Sequence, residues 1–322
     1  MTVRPVLLIA GPTAGGKSEL ALRLAAELPG GGEIICADSM QVWRGMDVGT
    51  AKPSEEERAR VPHHALDLAD PHRDTFTAAD WLRAAHQAIA DTRTRHRWPI
   101  VVGGTNLYLR LLMEGLTEHA KPDPALRAEL DAMETPALRA ELERVDPASA
   151  ALLHANDRRR TIRAIEILRA SGVPASQART QWREAGPSLP ADMRLVGLQW
   201  SAAAINARIN ERVHRMIATG WQREVHALLN LGPLLPQPLE AVGYRELSEA
   251  AEGRVSLAVA LEAIKVRTRH YAKQQRTWLR KFSAAPGSLW IEADQTPEQA
   301  WSGLVGDWLE AGSRTIHSPS PT

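Results

Sequence analysis

The chain has 322 residues, 44% of them hydrophobic and 24% charged, an ordinary globular composition at a length of about two domains; disorder and collagen-like repeats are excluded. Its 39 lysines and arginines offset 38 acids to a net charge of +1, so the chain as a whole is not a uniformly basic binder of nucleic acid or of a membrane surface. The single cysteine, Cys36, excludes a disulfide framework and a multi-cysteine zinc site and fits a reducing compartment.

The first apolar stretch, Val6–Ala10, is too short for a signal-peptide core and runs into a glycine-rich loop rather than a cleavage site. No stretch approaches the ~18 apolar residues of a membrane helix, so a cytoplasmic protein with no membrane partner is expected. Val6–Ala10 reads as a buried parallel strand, as do Glu33–Ala37, Pro99–Val102, Leu195–Trp200 and Leu289–Ala293. Cys36 lies inside the second of these, where a small buried residue is expected rather than a nucleophile. After the first strand Leu20, Leu24 and Leu28 recur every four residues until Pro29-Gly30-Gly31-Gly32 ends the helix. His63 and His64 are neighbours, which a strand points to opposite faces, so a shared metal is not expected. Thr77 to Asp80 reads as a capping box before Trp81-Leu82. Between Gly103 and Arg194 no strand-like run occurs. Helix starts appear instead at Asp123-Pro124, Asp146-Pro147 and Asn156-Asp157, the last helix stopping at Ser171-Gly172 before Pro174. In that last helix Ile162, Ile165 and Leu168 are spaced to face a core, while Arg158, Arg159, Arg160 and Arg163 form either a solvated face or a contact for RNA.

Gly11-Pro12-Thr13-Ala14-Gly15-Gly16-Lys17-Ser18 fits G-x-x-x-x-G-K-[ST], with a strand before it and a helix after it. Such a loop lets successive backbone N–H groups converge on an anion at a helix N-terminus. Lys17 would neutralise phosphate oxygens and the Ser18 hydroxyl would ligate Mg²⁺. The fold class expected is therefore α/β: a P-loop NTPase-like core with a parallel sheet flanked by helices, plus an all-helical insertion. The core is discontinuous, 1–114 and 195–322, with the insertion at 115–194.

A P-loop fixes a diphosphate, not a reaction. The second strand leads to Asp38 at the carboxyl edge of the sheet, where the carboxylate can serve as an outer Mg²⁺ ligand, a general base or a helix cap. Gly103-Gly104-Thr105 opens at the same edge, where Thr105 can cap the helix Asn106–Met113. Between residues 263 and 283, Lys265, Arg267, Arg269, Lys273, Arg276, Arg280 and Lys281 occur with no acid, interleaved with Tyr271 and Trp278. This segment leaves 32 basic against 38 acidic residues elsewhere, so near-neutrality averages an acidic body with a basic strip. Phosphates can bind such cations, and unstacked bases can lie on aromatic rings.

Five motifs in order resemble the tRNA dimethylallyltransferases: the P-loop, Asp38-Ser39-Met40-Gln41 through Gly49-Thr50-Ala51-Lys52-Pro53, Val102 to Tyr108, Val242-Gly243-Tyr244-Arg245, and Thr277-Trp278-Leu279-Arg280. The resemblance runs from about residue 6 to about residue 294. It implies transfer of a dimethylallyl group from dimethylallyl diphosphate to N6 of the adenine 3′ of the anticodon, with Mg²⁺ as cofactor and the tRNA anticodon stem-loop as partner. It assigns Asp38 as the base, Thr105 as a holder of the amine, and Lys17 with the P-loop and Arg212 as diphosphate ligands. It carries tRNA contact onto Asp38, Ser39, Met40, Gln41 and Thr105. In the insertion the matching positions are Arg127, Arg159, Arg160, Thr161, Ile162 and Arg163. Further along, they are Glu240, Ala241, Val242, Gly243, Tyr244 and Arg245, then Lys273, Gln274, Gln275, Arg276, Thr277, Trp278, Leu279 and Arg280.

Two departures are small: Trp43 stands where tyrosine is usual, and Gly15 replaces a commoner serine or valine, an exchange expected to loosen the loop. With one cysteine there is no room for the zinc finger that eukaryotic members often append, so a bacterial type is implied, and a monomer is expected. Two rival readings stay open on the residues alone. A P-loop kinase of a small metabolite or nucleoside, using ATP, shares the loop and Asp38 but leaves the basic strip unexplained. A nucleotide-gated RNA-binding protein explains the strip but gives Asp38 and Thr105 no purpose.

Overall fold

The computed structural model describes residues 3–115, 123–178 and 189–315. The chain divides into two compact units, Met1–Met113 with Pro187–Thr322, and Glu114–Gly186.

The first unit is built on six parallel strands in the order β3-β2-β4-β1-β5-β6. They are β1 Val6–Ala10, β2 Gly32–Cys36, β3 His63–His64, β4 Trp98–Gly103, β5 Met193–Gln199 and β6 Leu289–Glu292. β1 lies inside the sheet between β4 and β5, and all five of its residues are buried, which is why it reads as an unbroken apolar run. β5 begins at Met193, ahead of the expected Leu195, because its pairing with β1 starts at Val6 opposite Met193.

The two-residue strand β3 has no apolar signal in the sequence. It is held at the sheet edge by pairing with Ile34 and Ile35 and by His64 Nε2, 2.7 Å from Glu33 Oε2. Glu33 is itself buried and bidentate to Arg95, at 2.8 and 2.7 Å. The hydrogen bonds from Arg95 hold its carboxyl down at about 2, with His64 helping and burial opposing.

Helices α1 Lys17–Glu27, α2 Glu55–Arg60, α3 Ala78–Thr94 and α4 Asn106–Glu114 precede the second unit in sequence. The predicted capping box is present at the head of α3, Thr77 with Asp80. α3 then buries Trp81, whose Nε1 donates to Cys36 O at 2.8 Å and whose ring stacks on Tyr108 of α4 with centroids 4.4 Å apart. Tyr108 in the Val102–Tyr108 motif is thus a core residue. Trp43 is fully buried edge-on to Phe76 at 6.4 Å, and its Nε1 finds no partner. A hydrophobic cluster between α1 and the sheet contains Leu20, Leu24, Ile34, Cys36 and Val102.

The second unit contains α5 Pro124–Ala132, α6 Thr135–Val145, α7 Pro147–Leu152, α8 Arg158–Ser171 and α9 Ala175–Ala178. Asp123, Asp146 and Asp157 cap α5, α7 and α8 as their sequence positions predict, and Gly172 ends α8 in the left-handed region at φ 71°. Its core includes Leu130, Leu138, Leu142, Ile162 and Ile165. Ile167 rather than Leu168 completes the buried stripe of α8.

The chain after β5 forms α10 Ala202–Ala218, α11 Trp221–Asn230, α12 Tyr244–Ala251, α13 Leu257–Phe282 and α14 Trp301–Thr315. α13, capped by Ser256, carries the whole basic strip on 26 residues. No helix among the described residues is long and apolar enough to cross a membrane.

Candidate active site

The carboxyl ends of β1, β2 and β4 open into one cleft of about 1040 Å³ in the first unit. The P-loop follows β1, with Ala14 at φ 60° and Gly16 at φ 83° leading into α1. Gly15 does not loosen this loop. A Cβ there would lie 2.8 Å from Pro12 O and 3.2 Å from Trp200 Nε1, and that same Nε1 donates to Gly15 O at 3.2 Å. Arg208, stacked over Trp200 at 4.7 Å, donates to Ala14 O at 2.8 Å and pairs with Glu298 at 2.5 Å. The loop is braced from behind by a tryptophan and an arginine that no local pattern in the sequence marks.

Lys17 Nζ donates to Pro12 O at 2.7 Å. Burial foremost, then the neighbouring Arg212 charge, lowers Lys17 to about 7, while Asp38 opposes the shift. Burial also lowers Arg212, again with Asp38 opposing. Lys17, Arg212 and Asp38 therefore sense one another across the cleft, and α10, generic in sequence, delivers Arg212 to it.

Asp38 lines the cleft, and Thr105 is fastened next to it through Ser39. Asp38 Oδ1 accepts from Met40 N at 2.8 Å, closing a local turn rather than capping a helix. Thr105 Oγ1 accepts from Ser39 N at 2.9 Å, so its hydroxyl does not cap α4 either; its carbonyl receives the first α4 amides, from Tyr108 and Leu109. Gly104 has no room for a side chain, since a Cβ would run into Gln275 of α13. Gln275 Nε2 donates to Gly104 O at 2.8 Å while its Oε1 accepts from Thr13 N at 2.8 Å, tying the P-loop to the β4 end.

Residues 47–53 form a strap along the cleft. Glu224 of α11 accepts from the amides of Asp47, Val48 and Gly49 at 2.7, 2.5 and 3.1 Å and from Tyr244 Oη at 2.6 Å. Lys52, only 1% exposed, is spent on Trp43 O, Asp47 and Asp67. Gln41 Nε2 donates to Thr50 O and Ala51 O.

A family model described as IPP transferase matches residues 41–282. The tRNA dimethylallyltransferase of Geobacter sulfurreducens is 45% identical over 293 residues, 89% of this chain and 91% of that one. The chain belongs to the IPP transferase family. Within it, the full-length tRNA isopentenylpyrophosphate transferase from Bacillus halodurans superposes with a TM-score of 0.69 at 33% identity, covering 98% of this chain and all of that one. A eukaryotic dimethylallyltransferase acting on tRNA superposes with a TM-score of 0.79 at 26% identity, over 96% of this chain and 80% of that one.

The family motifs divide into presented and buried side chains. Thr161, Ile162, Ala241, Tyr244 and Leu279 are 4% exposed or less, so their side chains support a surface rather than touch RNA. Gly243 heads α12 at φ 100° and is buried as well. Gln275 is 3% exposed and acts within the cleft instead. In the second unit Arg158 braces the α5–α6 junction, donating to Thr135 Oγ1 at 3.2 Å and Asp131 O at 2.8 Å. Arg127 and Arg163 both converge on buried Glu166, at 3.3 and 3.1 Å. Arg159 and Arg160 are exposed there.

In the first unit Glu240, Arg245, Lys273, Gln274, Thr277 and Arg280 are exposed and Val242 is half-buried. Lys273, Arg276, Thr277 and Arg280 ring a second, smaller cavity of about 660 Å³ floored by Leu198, Trp200 and Trp290. Trp278 lies between Arg110 and Lys281, 5.7 and 5.3 Å from its ring.

Proposed function

We propose that the protein transfers a dimethylallyl group from dimethylallyl diphosphate to the N6 amine of the adenine 3′-adjacent to the anticodon in tRNA, releasing diphosphate. The observation that carries this reading is a single cleft in which a P-loop, Lys17 and Arg212 face the Asp38 carboxylate, with the Thr105 hydroxyl fastened to Ser39 beside it. A diphosphate leaving group needs N–H dipoles and cations where its charge accumulates, and the loop with Lys17 and Arg212 provides both. An aromatic amine is a weak nucleophile that must shed a proton as it attacks, and an aspartate, ionised at neutral pH, accepts it. Thr105, fastened to Ser39, holds the amine against Asp38.

Ser18 heads α1, is exposed to the cleft, and would hold Mg²⁺ together with the donor's own oxygens and water, a donor set that suits this hard, octahedral ion. When bound, the ion adds positive charge at the departing diphosphate. A kinase reading accounts for the loop but not for the relatives, which are tRNA-modifying transferases by name.

Each unit is assigned its own tRNA contacts, Arg127, Arg159, Arg160 and Arg163 on the helical unit, and Glu240, Arg245, Lys273, Arg276, Thr277, Trp278 and Arg280 on the core. Cations there would set the register on phosphates, and Trp278 would meet an unstacked base.

The test is incubation with labelled dimethylallyl diphosphate and bulk tRNA, followed by mass spectrometry of the nucleosides. Dimethylallylated adenosine is expected; a phosphorylated product formed from ATP, or RNA binding without transfer, would replace this reading.

A further inference from the structure

Tyr271 belongs to none of the five motifs and has no part in the mechanism above. Tyr271 and Gln275 are the two α13 residues that line the cleft, and as an i, i+4 pair they share one helix face. Gln275 is held at both ends of its amide, by Thr13 N and Gly104 O. Tyr271 is different. Six large side chains elsewhere in the core, Trp43, Trp81, Trp221, Trp301, Tyr244 and Phe282, are fully buried, yet Tyr271 is 37% exposed. Of the three tyrosines it alone is not buried, Tyr108 and Tyr244 being 4% exposed or less. Its hydroxyl is tethered, 3.5 Å from Gly104 O and beside the Thr105 and Gln275 side chains. The ring is thus pinned at its polar end with its apolar body left to the cleft, close enough to Asp38 to feel its charge. Burial of the hydroxyl end and that negative charge both keep the phenol neutral at working pH.

A base taken out of an RNA stack loses its neighbours and is stabilised where a flat side chain replaces them. We propose that Tyr271 is the platform on which the acceptor adenine stacks after extrusion, setting its exocyclic amine between Asp38 and Thr105. This rests on the proposed function. It assigns to the α13 wall the recognition of the base, as distinct from the RNA backbone.

The test compares binding of two anticodon stem-loop RNAs, one with adenine and one with an abasic sugar at the target position, to wild type, Tyr271→Phe and Tyr271→Ala. Tyr271→Ala should weaken the adenine RNA about 10- to 100-fold, in line with base–aromatic stacking, and leave the abasic RNA unchanged. Tyr271→Phe should stay within about threefold of wild type on both RNAs, and the KM for the donor should be unmoved in both variants. An equal loss on both RNAs, no loss in Tyr271→Ala, or the same loss in Tyr271→Phe as in Tyr271→Ala would each overturn the proposal. Failure of the wild type to transfer any allyl group would instead overturn the function, since the adenine-against-abasic difference is read from binding alone.

Discussion

The two walls of the cleft are made by different means. The sheet wall is the loop Thr13–Ser18, Asp38 and Gln41, and Gly103 and Gly104, at three strand ends tied to their neighbours by hydrogen bonds. The α13 wall is two side chains, Tyr271 and Gln275, reaching in from a helix more than 150 residues further along the chain. In the sheet wall, peptide N–H groups survive any substitution except one to proline. In the helix wall a single truncation removes the surface. Chemistry on the phosphate therefore rests on main-chain geometry together with the Lys17 and Arg212 charges, while the orientation of whatever enters opposite rests on the α13 side chains.

The sharpest way to separate the walls is Asp38→Asn, which removes the base but keeps the turn to Met40. The single-turnover rate is expected to fall about 10²–10⁴-fold with stem-loop affinity little changed; a near-wild-type rate would move the base elsewhere.

Next in size is the pH response of the sheet wall. Lys17 is held at about 7, so in the free protein it is charged below that pH and neutral above it, whereas a bound diphosphate favours the charged form. Donor binding should take up a proton above pH 7, and its affinity should fall by up to about tenfold per pH unit there while staying level below. Donor KM measured from pH 6 to 8.5 checks this, and Lys17→Arg should flatten the profile.

Gln275→Ala tests whether the walls are independent. It frees Thr13 N and Gly104 O at once, so donor KM should rise about five- to tenfold, the worth of one or two hydrogen bonds. A change confined to RNA binding would show the walls to be uncoupled.

The smallest effect is expected outside the cleft: Arg276→Ala with Arg280→Ala should reduce the salt dependence of stem-loop binding by about one to two units of log–log slope. An unchanged slope would leave these arginines simply solvated.

The same contrast governs what was legible in the sequence. β1, the P-loop and α1 are contiguous, so spacing and residue type suffice to read them. Asp38 and Thr105 could be placed at one sheet edge because parallel strands end there together. Arg208, Trp200 and Glu224 could not, because each meets its loop across a large sequence separation and sits in a helix or strand end of unremarkable pattern. Motif membership also misled on exposure. Tyr244 and Gly243 look like surface recognition residues by their company, yet they lock the strap and α12 in place, and only packing reveals that. The α8 arginines look like one patch, but Arg158 is structural and Arg163 shares Glu166 with Arg127 of α5.

Cys36 lies two residues before Asp38 in the lining of the same cleft. Under the proposed chemistry that cleft loosens an allylic carbon from its diphosphate, and thiolates are among the fastest traps for such an electrophile. Burial first, then the Asp38 charge, pushes the Cys36 thiol up to about 12, so at neutral pH it keeps its proton and is a poor nucleophile. Burial, aided by the carboxylate that would relieve the acceptor of its proton, denies deprotonation to the chain's sole sulfhydryl. Self-poisoning is thereby suppressed without dispensing with the cysteine, and the intact mass of the protein should be unaltered after many turnovers with the donor.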